Sequence, residues 1–92
     1  MPQIFRIGAY HIFFWINEGV PIEPIHVHVS EKGASSDSTK LWITKNGKTI
    51  VANNHSRIPE HNLNTIRRLI EARSFEIMQK WQEQFGEIKF YC

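Results

Sequence analysis

The chain has 92 residues, 11 Lys and Arg against 9 Asp and Glu, a net charge of +2 with the histidines counted neutral, and one cysteine. That length supports one modest hydrophobic core and predicts a single domain over 1–92. A charge so near balance excludes reading nucleic-acid binding from the field of the whole protein, and the longest apolar run, Ile12 to Ile16, is too short to span a bilayer.

The N-terminal Met1-Pro2-Gln3-Ile4-Phe5-Arg6 has no basic segment followed by an apolar stretch and a small-residue cleavage site, so a cytoplasmic location is expected. The lone Cys92 cannot form an internal bridge and fits a reducing compartment. From Tyr10 to Asn17 the residues alternate as in a strand. Tyr10, Ile12, Phe14 and Ile16 fall on one side and His11, Phe13, Trp15 and Asn17 on the other, and aromatic residues on both sides predict a central strand. Gly19, Pro21 and Pro24 mark the connection that follows.

The segment Glu23-Pro24-Ile25-His26-Val27-His28-Val29 is the most distinctive. On a strand His26, His28 and Ser30 point one way while Ile25, Val27 and Val29 point the other, which predicts a dry side and an imidazole side. Glu31 to Ser38, with Gly33 and three serines, reads as a polar loop. Lys40 to Lys45, Asn46-Gly47 and Lys48 to Ala52 form a hairpin signal, and Asn-Gly suits the positive φ angles of a type I′ turn. After Arg57 the period changes to that of a helix. Pro59 suits a first turn, and Leu63, Ile66, Ile70, Ile77, Trp81 and Phe85 keep one apolar stripe running to Gly86. Arg73-Ser74 interrupts the stripe, and Ser74 is the residue type that caps a second helix. The tail Glu87-Ile88-Lys89-Phe90-Tyr91-Cys92 alternates well enough for a short extra strand or a docked peptide. The architecture expected is α+β: an antiparallel sheet of about four strands with a C-terminal helix or helical hairpin packed on one face.

Phe13-Phe14-Trp15-Ile16-Asn17-Glu18-Gly19, the histidine strand, Lys40-Leu41-Trp42-Ile43, Ile77-Met78-Gln79-Lys80-Trp81 and Phe85-Gly86 occur in an order and spacing that resemble the DUF4160 family. These are small bacterial proteins of unknown function, and the His-x-His strand with the late tryptophan helix is the specific part of the likeness. One departure is visible, because Ile25 stands where many members carry a second proline after the residue equivalent to Pro24. The resemblance implies a partner: members often lie beside a gene for a second small protein, commonly of the DUF2442 type, in pairs suggested to be toxin and antitoxin modules. It implies no catalytic residue.

Three chemistries fit the residues. Two imidazoles at i and i+2 of a strand can turn toward one zinc or other divalent metal ion, with His26 and His28 as ligands and His11 on an adjacent strand as a third. Paired imidazoles with a cation, Arg57 or Arg73, have the groups for metal-free RNA cleavage. Either would make the domain a His-dependent enzyme. Alternatively His26 and His28 hydrogen-bond to the sheet, to the Glu23 carboxylate or to the helix layer and hold the preceding loop, while Trp15, Trp42 and Trp81 with Phe13 and Tyr10 offer an aromatic surface to a protein partner. We expect the last: a protein-interaction component of a two-gene module, needing no cofactor, with His26, His28, His11 and Glu23 as its functional face. A free sheet edge also makes a homodimer an expectation.

Overall fold

The computed structural model describes residues 3–15, 23–32 and 37–92. Five strands, β1 (Gln3–Ile7), β2 (Tyr10–Phe13), β3 (His26–Ser30), β4 (Thr39–Ile43) and β5 (Thr49–Asn53), precede two helices, α1 (Glu60–Ala72) and α2 (Ser74–Phe85). Every neighbouring pair is antiparallel and the spatial order is the chain order, β1-β2-β3-β4-β5. The α+β class holds, with one strand more than expected. The additional strand is β1, whose five residues are interrupted by a register irregularity between Gln3 and Phe5 and therefore carry no clean alternation.

The turns explain why the meander closes. Gly8, at φ 57°, supplies the left-handed residue of the short connection from Ile7 to Tyr10. Between β4 and β5 the Gly47 N–H donates to the Thr44 carbonyl at 2.9 Å and the Thr44 N–H to the Lys48 carbonyl at 2.9 Å. Gly47 has φ 77° and Asn46 is not at positive φ. This is a three-residue hairpin loop, a turn followed by one left-handed glycine, and it replaces the type I′ turn expected from Asn-Gly. Gly47 is fixed twice over, since a Cβ there would lie 2.7 Å from the Ser74 Oγ at the start of α2.

Strand alternation sorts the sheet into two faces. Ile12, Val27, Val29, Leu41 and Ile43 are fully buried, and they pack with Ile58, Leu63, Ile66, Ile70, Ile77 and Trp81 into one core. The helices cover this face, as their apolar stripe requires. Arg73, with φ −115° and ψ 20°, breaks the helix after Ala72. Ser74 begins α2 but makes no side-chain capping bond, and Pro59 sits at the N-cap, one residue before the helix. Arg73 instead forks onto Glu76 at 2.9 Å and lays its guanidinium over the Phe5 ring, 4.0 Å from the centroid, tying the break to β1. Gly86, in the left-handed conformation, ends α2 by donating to the Gln82 carbonyl at 2.8 Å.

Helix α1 also caps the edge of the sheet. Glu71 accepts from the Thr49 N–H at 3.0 Å and from its hydroxyl at 2.8 Å, while Arg67 donates to the Thr49 hydroxyl and carbonyl, each at 2.9 Å. The backbone groups that the first residue of β5 would offer to another strand are thus occupied. No helix among the described residues is long and apolar enough to cross a membrane.

Candidate functional site

The second face of the sheet carries the histidines. Register places Phe13 opposite His28, His28 opposite Lys40 and His26 opposite Trp42, so these side chains share one side of β2, β3 and β4. β3 is the middle strand, and the predicted imidazole side is not open to water: His26 is 0% exposed and Ser30 4%. Only His28 on that side is half-buried.

The two imidazoles differ in environment despite their shared motif. His26 Nδ1 lies 2.9 Å from the Pro24 carbonyl. A carbonyl can only accept, so this nitrogen carries a proton, and the ring pins the turn that leads into β3. Around it stand Trp81 at 5.2 Å, His28 at 5.0 Å and Trp42 at 5.7 Å, all near edge-on. Since Trp81 belongs to the helix layer, His26 is the point where the two sides of the sheet meet. Trp81 itself is fully buried, and its indole Nε1 has no hydrogen-bond partner among the described residues.

His28 stacks on Phe13, with ring centroids 5.5 Å apart, and its Nδ1 is 3.0 Å from the hydroxyl of buried Ser38. Burial pushes its pKa down to about 4, with His26 and the Lys40 ammonium acting in the same direction and Glu23 opposing them. At neutral pH this ring is therefore uncharged. Lys40 reaches Glu23 at 2.8 Å and holds its ammonium 4.3 Å from the Trp42 ring centroid. Glu23 thus joins the cluster through Lys40 and its charge also reaches His28.

His11 is opposite Ser30 rather than either histidine, two residues from Phe13 along β2. Among the described residues no group of three or more His, Cys, Asp or Glu is arranged to hold a metal ion. The cations considered for RNA cleavage are placed elsewhere. Arg73 is engaged with Glu76 and Phe5, and Arg57 lies in a turn beside a separate cleft.

Two participants, Ser38 and Lys40, carry no local signal in the sequence, and the C-terminal tail takes the docked form of the two expected for it. The tail is docked on its own chain without forming a strand. Ile25 donates its N–H to the Lys89 carbonyl at 2.8 Å, Lys45 donates to the Cys92 carbonyl at 3.1 Å, and Tyr91 stacks flat on Trp42 at 5.0 Å with 5° between planes. Ile88 and Phe90 pack against the core. The first of these bonds depends on the departure noted at position 25, because a proline there has no N–H to give. The alternation of the tail was the available signal, and its target was not readable locally.

Fold and face together define a small α+β domain whose second sheet face carries an aromatic, histidine and lysine cluster, buried at Phe13 and His26 and partly open at His28, Lys40 and Trp42. The sequence model of the family described as domain of unknown function (DUF4160) matches residues 9–82, and the chain belongs to that family. No curated protein and no solved structure matches it.

Proposed function

We propose that this domain acts by binding a protein partner at the Trp42 end of the histidine face of the sheet, as the interaction component of a two-gene module of the toxin and antitoxin type. The observation that carries the reading is the Trp42 cluster. Trp42 stacked by Tyr91 brings together two of the residue types that dominate binding hot spots, with the Lys40 ammonium beside them, and Tyr91 is 60% exposed. The adjoining hairpin adds charge: Lys45 and Lys48 are exposed, and neither has an ion-pair partner among the described residues. Such a surface suits an acidic partner face with room for an aromatic ring. The partner proposed is the small DUF2442-like protein encoded next door.

The His-dependent enzyme is the weaker reading on chemical grounds. Acid–base catalysis of RNA cleavage needs one imidazole that is protonated near neutral pH. Burial holds His28 in the neutral form there, with its pKa lowered to about 4, so it offers no imidazolium as the acid, and His26 is sealed from solvent.

The test is titration of the purified neighbour-encoded protein with the wild type and with Trp42→Ala and Lys45→Glu/Lys48→Glu variants, all checked for fold by circular dichroism. Stoichiometric binding that weakens at least tenfold in both variants is expected. Absence of binding, or binding that neither variant alters, would refute the reading. RNA cleavage by the wild type that disappears in folded His28→Ala would replace it with the enzyme.

A further inference from the structure

A second region, away from the Trp42 cluster, has the features of a ligand site. A cleft of about 590 Å³ opens where the end of β3 faces the turn between β5 and α1, walled by Tyr10, Ser30, Lys32, His55 and Arg57. That volume lies within the range of small-molecule sites and far exceeds what an isolated anion fills.

The turn is built to be rigid. Asn54 clamps Ile58 from both sides, its Oδ1 accepting from the Ile58 N–H at 3.0 Å and its Nδ2 donating to the Ile58 carbonyl at 3.0 Å. The Thr39 hydroxyl donates to the same Oδ1 at 2.6 Å. The Ser56 hydroxyl lies 2.7 Å from the Asp37 carbonyl and 3.2 Å from that of Val29, pinning the turn across the sheet. Held inside this frame is Arg57, at φ 55° the one non-glycine residue with positive φ among those described. Glycine or asparagine adopts that conformation with less strain, and residues kept strained by an over-determined frame concentrate at functional sites. Neither the Arg57 guanidinium nor the Lys32 ammonium has a hydrogen-bond or ion-pair partner among the described residues.

Two unpartnered cations beside a histidine suit a phosphate group, and arginine can grip it with two parallel hydrogen bonds. The rim also carries Glu31 and Asp37. Their charge opposes a dense polyanion, and the Glu31 carboxylate can accept from a hydroxyl or amino group. Tyr10 adds an aromatic wall. We infer that this cleft binds a small phosphomonoester of mononucleotide size, with Arg57 and Lys32 on the phosphate, Glu31 on its hydroxyl or amino groups, and Tyr10 against its ring.

The strained backbone supplies a clean test. Arg57→Gly removes the guanidinium and relieves the left-handed conformation, so the variant is expected to melt no lower than the wild type. Calorimetric titration with adenosine 5′-monophosphate, adenosine and inorganic phosphate is the measurement. The monophosphate is expected to bind at least tenfold more tightly than either fragment, to lose at least tenfold in Arg57→Gly, and to lose several-fold in Lys32→Gln. No saturable binding by the wild type, or equal binding by wild type and Arg57→Gly, would overturn the inference. Inorganic phosphate binding as tightly as the monophosphate would overturn the mononucleotide assignment, as would a uridine oligonucleotide binding more tightly in proportion to its length.

Discussion

The two faces of this sheet achieve burial by different means. On the helix side, Ile12, Val27, Val29, Leu41 and Ile43 meet Ile66, Ile70 and Ile77, and the stabilisation scales with apolar area and is indifferent to pH. On the histidine side, burial rests on stacked rings, a lysine held to Glu23 and an imidazole bonded to Ser38. Each of those contacts depends on a protonation state or a matched donor and acceptor, so loss of one partner leaves the other costly. The first face is therefore a scaffold, and the second is the one that conditions and partners can alter.

Trp81 touches both sides of the sheet and carries the largest expected effect. Trp81→Ala should cost about 3–5 kcal/mol in urea unfolding, as large aromatic deletions in cores do. Trp81→Phe should cost no more than about 1.5 kcal/mol, because it removes a buried N–H unpartnered among the described residues along with part of the ring. If the two variants were equally damaging, Trp81 would be held by something other than packing.

His26→Ala is next. It leaves the Pro24 carbonyl without its donor and opens a gap beside Trp81, and should cost about 2–3 kcal/mol by the same measurement.

The pH dependence separates the faces directly. His28 titrates near 4 in the folded chain and near 6.5 when unfolded. Above pH 6.5 both states hold it neutral and its contribution is flat. Between pH 6.5 and 4 the unfolded chain binds the extra proton, so stability falls as pH falls, by no more than about 2 kcal/mol after allowance for solvent screening. Urea midpoints across that window should show the loss in the wild type, with the slope reduced in His28→Leu.

Smaller still is Tyr91→Ala, which removes the stack on Trp42 and should cost about 0.5–1 kcal/mol while speeding carboxypeptidase trimming of the tail. Unchanged trimming would mean that the tail is held by Ile88, Phe90 and the backbone bonds alone.

Local pattern made most of the scaffold legible. The 3.6-residue stripe from Leu63 to Phe85, the break at Arg73-Ser74, the stop at Gly86 and the hairpin around Gly47 all announce themselves within a few residues. What stayed hidden depends on distance along the chain. Lys40 meets a carboxylate 17 positions earlier, and His28 meets a hydroxyl 10 positions later. His26 and His28 look equivalent in a His-x-His strand, yet one is sealed against Trp81 and the other is half-open, a difference imposed by a helix 55 residues downstream. β1 was missed for a local reason, since its irregular register leaves both Ile4 and Phe5 buried and erases the alternation.

A neutral His28 beside the Trp42 contact surface is what separates a binding face from a catalytic one. The most direct measurement is an NMR titration of its imidazole in the wild-type chain, assigned with His28→Leu. An apparent pKa near 4 is the result this structure requires. A value at or above 6.5 would contradict it, returning a proton to the strand at neutral pH and restoring the acid that the enzymatic reading needs.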